Sequence, residues 1–186
     1  MGLLHLCHAL KNPSCVLTTL NLWNNQLSGV SMSCLTEALL KNTRLTTMNL
    51  GQNVLGVSFF FFFFWEIYDL IQDEGASHLK MGLQSNCSIR RLSLCGCKLS
   101  DPGVVAIAEF LAESRFIQRI DVRNNALTLG GLMALSLAAR ENNSCFRIDL
   151  DKPQNDSSLP QELIVSFLKF LWNFIYLIFN IFLINI

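Results

Sequence analysis

Residues 117–127 read IQRIDVRNNAL, and this stretch decides the fold because its pattern occurs four times in the chain. The earlier copies are LTTLNLWNNQL at 17–27, LTTMNLGQNVL at 45–55 and IRRLSLCGCKL at 89–99. A partial fifth copy begins at Cys145, so the five starting positions are separated by 28, 44, 28 and 28 residues. A nearly constant period of this kind indicates a protein built from repeated structural units.

Each copy begins with the pattern of a short β-strand. Counted from its first residue, the fourth and sixth places are apolar and the fifth is polar, which predicts a strand with one buried face. The chain leaves the strand at the ninth place, where a polar or sulfur side chain can satisfy buried backbone groups. The residues at the ninth place are Asn25, Asn53, Cys97 and Asn125.

The segment after each strand has the pattern of a helix. Glycine recurs four places after the last leucine of a copy, at Gly103 and Gly131. The apolar residues of helical period are Leu35, Leu39 and Leu40; Leu79 and Leu83; Val105, Ala108 and Leu111; and Leu132, Leu135 and Ala138. Residues 2–12 are expected to form a further helix without a strand of its own.

One strand, one turn and one helix per 28 residues predict an α/β fold of the leucine-rich repeat type. We expect a ribonuclease-inhibitor-like solenoid, with the strands on its concave face and the helices outside. An ordinary α/β domain is the alternative, although it would not keep the leucines and the Asn or Cys in register.

The step of 44 residues exceeds the period by 16 (44 − 28), and removing residues 57–72 restores it. The removal also places Gly75 four positions after Leu55. The removed segment contains six consecutive phenylalanines, Phe59–Phe64. It begins with Val-Ser and ends with Gln, which splice sites read in frame commonly encode. One interpretation is therefore a translated intron, and the other is a surface loop, which repeat proteins tolerate.

The C-terminal part of the chain differs in composition from the repeats. We expect the repeat domain to cover 1–153, followed by a polar linker at 154–162 and an apolar helix at 163–186. About 20 apolar residues are long enough to cross a bilayer as a helix. The tail is therefore either a membrane anchor or the product of intron read-through.

Composition and motifs argue against several functional classes. The 14 basic and 14 acidic residues balance, so nothing indicates nucleic acid binding. Catalytic motifs, phosphate-binding loops and spaced metal ligands are not found, so we expect no enzyme activity, no cofactor and no metal. The pair Cys95-Gly-Cys97 has no second pair at zinc-ligand spacing, and the first residues do not read as a secretory signal. We therefore interpret all seven cysteines as reduced thiols of an intracellular protein.

The third, fifth and seventh places are expected to point out of the concave face in three rows, with about 5 Å between neighbouring strands. The third-place row is Thr19, Thr47, Arg91, Arg119 and Arg147. The fifth-place row is Asn21, Asn49, Ser93, Asp121 and Asp149. The seventh-place row is Trp23, Gly51, Cys95, Arg123 and Asp151.

Arginine and tryptophan are enriched at the energetic centres of protein interfaces, so these rows are the predicted partner-binding surface. The candidate residues are Trp23, Arg91, Arg119, Asp121, Arg123, Arg147 and Asp149. The alternative is that the arginines and aspartates neutralise one another in a ladder of ion pairs that contributes little.

Several stretches carry a more specific resemblance than leucine spacing. They are LWNNQL at 22–27, MNLGQN at 48–53, HLKMGL at 78–83, AIAEFLAES at 106–114 and GGLMALSLA at 130–138. Over residues 2–56 and 73–153, the chain resembles the last repeats of the protein phosphatase 1 regulatory subunit 37 family. This resemblance implies an intracellular, non-enzymatic protein that binds and inhibits the phosphatase catalytic subunit.

Two features of that family are not found in this sequence. The family has several more repeats before this point, so the chain would correspond to a fragment. The family also docks the phosphatase through a basic-Val-x-Phe motif outside the repeats, and the nearest stretch here, Val165-Ser-Phe167, lacks the basic residue.

The leading hypothesis is a leucine-rich repeat interaction module from an inhibitory phosphatase subunit, with a cytoplasmic or nuclear location. The alternative is a tail-anchored membrane adaptor with a cytosolic repeat domain, which holds only if 163–186 is a true anchor. A ribonuclease inhibitor is disfavoured, because that family is rich in cysteine and strongly acidic.

Overall fold

The computed structural model describes residues 2–55 and 73–151, and in these ranges strands and helices alternate. The helices are α1 Gly2–Leu10, α2 Met32–Lys41, α3 Glu74–Gln84, α4 Asp101–Glu113 and α5 Leu129–Glu141, with one 3-10 turn at Gly29–Ser31. The strands are β1 Thr19–Asn21, β2 Thr47–Asn49, β3 Arg91–Ser93, β4 Arg119–Asp121 and β5 Arg147–Asp149.

The five strands form one parallel sheet in the order β1-β2-β3-β4-β5, and each helix packs against its neighbour in sequence. Strand pairing joins equivalent places of successive copies, so Leu20 lies beside Met48 and Ile120 beside Ile148. Met48 also lies beside Leu92, although these copies are separated by the longer step. The predicted α/β arrangement of strand-helix repeats is therefore confirmed in the described ranges.

The core lies between the sheet and the helices. The fourth- and sixth-place side chains are buried there, except that of Leu22, which is partly buried. Leu35, Leu79, Ile107 and Leu135 are buried on the facing side of the helices. Burial of a large aliphatic side chain contributes about 1.5–3 kcal/mol, so this layer is the main source of stability. Two residues of the predicted helical pattern, Leu40 and Val105, lie within helices as expected but on their outer surfaces, where they are 51% and 37% exposed.

Three of the four ninth-place side chains, those of Asn53, Cys97 and Asn125, connect successive repeats, as predicted. Asn53 is buried, and its Nδ2 donates to the carbonyl oxygens of Leu22 and Leu50 at 2.8 and 2.7 Å. Its Oδ1 accepts from the backbone N–H groups of Asn25 and Leu27, both at 3.0 Å. Asn125 and Cys97 make equivalent bonds to backbone groups, to Leu94 and Leu50 respectively.

A second asparagine ladder, which the sequence interpretation missed, lies three residues before the second, third and fifth copies. Asn86 donates through Nδ2 to the carbonyl oxygens of Leu39 and Asn42 at 2.8 and 2.9 Å. Its Oδ1 accepts from the backbone N–H groups of Ser88 and Ile89. Asn42 and Asn142 are buried in the same way. Their constant offset of three residues before a copy was the signal in the sequence.

The recurring glycines make room for a carboxylate of the preceding repeat. Asp73 is buried and accepts from the backbone N–H of Gly103 at 2.8 Å and from the hydroxyl of Ser100. A Cβ on Gly103 would lie 2.4 Å from Cγ of Asp73. Asp101 and Gly131 repeat this arrangement in the next unit. A Cβ on Gly131 would lie 2.7 Å from Oδ1 of Asp101.

The insertion predicted at 57–72, the linker at 154–162 and the tail at 163–186 lie outside the described residues. None of the helices that the structure describes is both long enough and apolar enough to cross a membrane.

Candidate functional site

The third-, fifth- and seventh-place residues lie on the side of the sheet that faces away from the helices, and we call this surface the strand face. In the half formed by β3, β4 and β5, the pairing places Arg91 beside Arg119 and Arg119 beside Arg147. We call these three residues the arginine row. Neighbouring strands are about 4.8 Å apart, so the row is about 10 Å long at the level of the backbone.

One buried carboxylate holds two members of the arginine row. Oδ2 of Asp149 accepts from Nε of Arg119 at 2.6 Å, and Oδ1 accepts from Nε of Arg147 at 2.7 Å. The Asp149 side chain is 0% exposed, whereas those of Arg119 and Arg147 are 37% and 41% exposed. The carboxylate therefore lies beneath the guanidinium groups, which face the solvent.

A second carboxylate holds Arg123. Nε and Nη2 of Arg123 donate to Oδ1 and Oδ2 of Asp121 at 2.9 and 2.8 Å, a two-pronged geometry that favours the charged forms of both groups. Burial of Asp121 acts to raise its pKa, but the hydrogen bonds from Arg123 outweigh burial and lower that pKa. The hydrogen bonds to Asp121 in turn raise the pKa of Arg123.

Arg91 differs from the other arginines of the strand face. Its side chain is exposed, and within residues 2–55 and 73–151 it makes no side-chain hydrogen bond or ion pair. It is adjacent to Arg119, so it extends the arginine row beyond the two residues that Asp149 holds.

Trp23 lies at the other end of the strand face, against the backbone of the next repeat. A Cβ on Gly51 would lie 2.3 Å from Cζ3 of the indole, so only glycine leaves room for the ring in this position. Trp23 remains 42% exposed, in agreement with its predicted place on the surface. The structure therefore separates the candidate residues into an aromatic end and an arginine-rich end.

Three side chains predicted to point outward are buried, and for these the prediction was wrong. Asp121 and Asp149 are covered because the arginine side chains fold over them. Cys95 is also buried, with Nδ2 of Asn124 lying 3.3 Å from its sulfur. Asn124 itself was not among the predicted site residues. Its φ of 55° lies in the left-handed region, in the turn that follows β4.

The cysteines are all described, and none of them forms a disulfide in the structure. Burial raises the pKa of the Cys97 thiol to about 12, so this group stays protonated at pH 8. Only the thiolate reacts rapidly with alkylating agents.

We predict that Cys97 reacts at least about 100-fold more slowly with iodoacetamide at pH 8 than the exposed Cys87, because its thiolate is scarce and its sulfur is inaccessible. Peptide mass spectrometry over a time course measures both rates. The difference should disappear in urea, and equal rates in the folded protein would contradict the described burial.

Comparison with known proteins agrees with this repeat geometry. A family model described as Leucine Rich repeat matches residues 85–108 and 113–136, and a second, described as Leucine Rich Repeat, matches residues 16–38. The matched segments coincide with the strand-helix units of the structure. The chain is a leucine-rich repeat protein.

Two curated relatives indicate which leucine-rich repeat proteins the chain is similar to. Human NACHT, LRR and PYD domains-containing protein 13 is 29% identical over 152 residues, which are 81% of this chain and 13% of that protein. The protein phosphatase 1 regulatory subunit 37 homolog of Caenorhabditis briggsae is 41% identical over 54 residues, which are 27% of this chain and 6% of that protein. The leucine-rich repeat chain therefore spans only a small part of either relative.

A solved structure shares the fold of this leucine-rich repeat protein. The actin-binding site 2 of leiomodin-1 superposes with a TM-score of 0.66 at 16% identity, covering 94% of this chain and 93% of that one. At this identity the likeness shows the fold alone.

Proposed function

We propose that this chain binds a partner protein through the strand face and that it acts by binding rather than by catalysis. The observation that carries the proposal is the arrangement of charge, in which buried carboxylates hold arginines whose guanidinium groups face the solvent. Leucine-rich repeat proteins are interaction modules, and solenoids commonly bind partners on the concave surface.

We propose that the described units form a short solenoid within a larger protein. Supporting this, equivalent places pair across every strand junction from β1 to β5. The chain also spans a small fraction of its curated relatives, at 13% and 6% of their lengths.

We propose that residues 57–72 are an insertion into one repeat. A Cβ on Gly75 would lie 2.6 Å from the carbonyl oxygen of Leu55, so the two sides of the insertion meet. Asp73 then occupies the place that Asp101 has in the next repeat. Sequencing the transcript across Gly56 and Asp73 separates an intron from a loop, because a loop requires a message that always carries these codons.

The catalytic subunit of protein phosphatase 1 is the first partner to test. The proposal rests on the 41% identity to the Caenorhabditis briggsae regulatory subunit homolog. The wider coverage by the NACHT, LRR and PYD proteins supports an interaction role without naming a partner. The basic-Val-x-Phe motif by which the regulatory subunit family docks the phosphatase is not found in this sequence. We therefore assign phosphatase binding by this chain to the repeats.

We predict that replacing both Arg119 and Arg123 with alanine weakens partner binding at least about tenfold, because truncation of an arginine at the centre of an interface commonly costs more than 1 kcal/mol. The Kd for the phosphatase catalytic subunit, measured by biolayer interferometry, gives the result. Arg44 and Arg115 lie outside the strand face, so alanine at both is the matched control.

The two parts of this proposal fail in different ways. If the unaltered chain does not bind the phosphatase, the choice of partner is wrong. If it binds but the Arg119 and Arg123 variant binds equally well, the strand face is not the surface used. Thermal unfolding of each variant tests whether the fold tolerates Asp121 and Asp149 without these arginine partners.

A further inference from the structure

We propose that the arginine row binds an extended, acidic segment of the partner protein. This inference rests on the proposed function and adds the chemistry of the segment that is recognised. Its basis is the unequal distribution of charge along the strand face. The third-place residues of β1 and β2 are the neutral Thr19 and Thr47, whereas those of β3, β4 and β5 are all arginine.

The charges around the row leave an excess of positive charge. The cationic groups are the arginine row and Arg123, and the anionic groups are Asp121, Asp149 and Asp151. Four guanidinium groups and three carboxylates give a net charge of +1 (4 − 3). Two of the carboxylates are buried, and the third accepts from the backbone N–H of Asn124 at 3.0 and 2.8 Å.

Arg119 and Arg91 also retain hydrogen-bond donors for a ligand. Asp149 contacts Arg119 through Nε, and no contact of the two terminal nitrogens of Arg119 with another side chain is found in the described ranges. Arg91 has its whole guanidinium group available there. A guanidinium group recognises a carboxylate through two parallel N–H donors, which a lysine cannot do.

Two residues of the row, Arg119 and Arg147, are held in place before a ligand binds. A buried carboxylate that bonds Nε limits the rotation of Arg119 and Arg147, so less side-chain entropy is lost on binding. The row is about 10 Å long, which is about the distance that four residues cover in an extended segment. A run of three or four acidic residues would therefore place carboxylates along its whole length.

The test uses the full chain and two fluorescein-labelled dodecapeptides of equal length, one rich in glutamate and one rich in lysine. Fluorescence anisotropy should show that the glutamate peptide binds at least tenfold more tightly. Its affinity should fall as salt is raised, because exposed charges are screened. Equal binding of the two peptides would overturn the proposal.

Arg91 provides the sharpest variant because no described contact depends on its side chain. Arg91→Glu should weaken binding of the glutamate peptide at least tenfold, and Arg91→Lys should restore part of it. Arg115→Glu makes the same change of charge outside the strand face and should leave the affinity unchanged. Equal effects of Arg91→Glu and Arg115→Glu would show a general charge effect and overturn the assigned site.

These results are distinguishable from a failure of the proposed function. One outcome is that the unaltered chain binds the phosphatase, the variant with alanine at Arg119 and Arg123 binds it more weakly, and the glutamate peptide does not bind. The strand face would then bind its partner without recognising an acidic segment. The present inference then fails and the proposed function stands. Thermal unfolding of Arg91→Glu should match that of the unaltered chain, because the residue is exposed.

Discussion

Replacing Asn53 with leucine is expected to lower the free energy of unfolding by about 4 kcal/mol, because each buried backbone group left without a partner costs about 1–3 kcal/mol. Asn53 is 1% exposed, and its side chain bonds five backbone groups. It joins two repeats, since Leu22 belongs to the first copy and Leu50 to the second. Leucine has the same number of side-chain heavy atoms in a similar branched arrangement, so the change removes the hydrogen bonds without opening a large cavity.

Asn25→Leu is the matched control for this prediction. Asn25 holds the same place in the first copy, but it is exposed and its side chain donates only to the carbonyl oxygen of Trp23, at 3.0 Å. We expect a change within about 0.5 kcal/mol, as is usual for surface substitutions. Urea unfolding followed by circular dichroism measures both variants. Similar losses for the two asparagines would contradict a role that depends on the ladder between repeats.

Gly103→Ala is expected to destabilise the protein by about 2 kcal/mol, which is within the usual 1–3 kcal/mol cost of overpacking. Intrinsic helix propensity predicts the opposite sign, since alanine in a helix is favoured over glycine by about 1 kcal/mol. The clash prevails because the new Cβ would lie 2.4 Å from Cγ of Asp73, which is buried and cannot move into solvent. The hydrogen bond from the Gly103 N–H to Asp73 would be disturbed as well.

A double-mutant cycle with Asp73→Ala isolates this clash. Asp73→Ala removes the carboxylate, so in that background Gly103→Ala should cost less than about 0.5 kcal/mol or should stabilise the helix. Gly2→Ala is a control for the effect of the substitution itself, because no atom lies within 4 Å of its added Cβ. The same cost for Gly103→Ala in both backgrounds would show that Asp73 is not the cause.

Glycine is required at different positions of the chain for two different structural reasons. Gly103 and Gly131 are small because a carboxylate of the preceding repeat fills the space that a Cβ would occupy. Gly51 is small because the indole of Trp23 lies against its backbone. Sequence spacing located the first pair at a recurring place, but it contained no sign of the contact between Trp23 and Gly51. That contact involves a single repeat and therefore has no period.

The candidate site illustrates the same division. The third-, fifth- and seventh-place rows were predicted from alternation, and the pairing of Arg91, Arg119 and Arg147 follows it. The burial of Asp121 and Asp149 was not predicted. A strand of alternating residues predicts which side of the sheet a residue occupies, but a long arginine side chain can cover a short aspartate on the same side.

The repeat, its 28-residue period, the strand-helix order and the register of the sheet could all be predicted from the amino-acid sequence. These features follow from a local pattern that recurs, and stacking places equivalent residues side by side. The exposure of guanidinium groups rather than carboxylates on the strand face became visible only in the folded structure. That outcome depends on side chains from neighbouring repeats packing over one another, so it appears in the distances between Asp149, Arg119 and Arg147 rather than in any single copy.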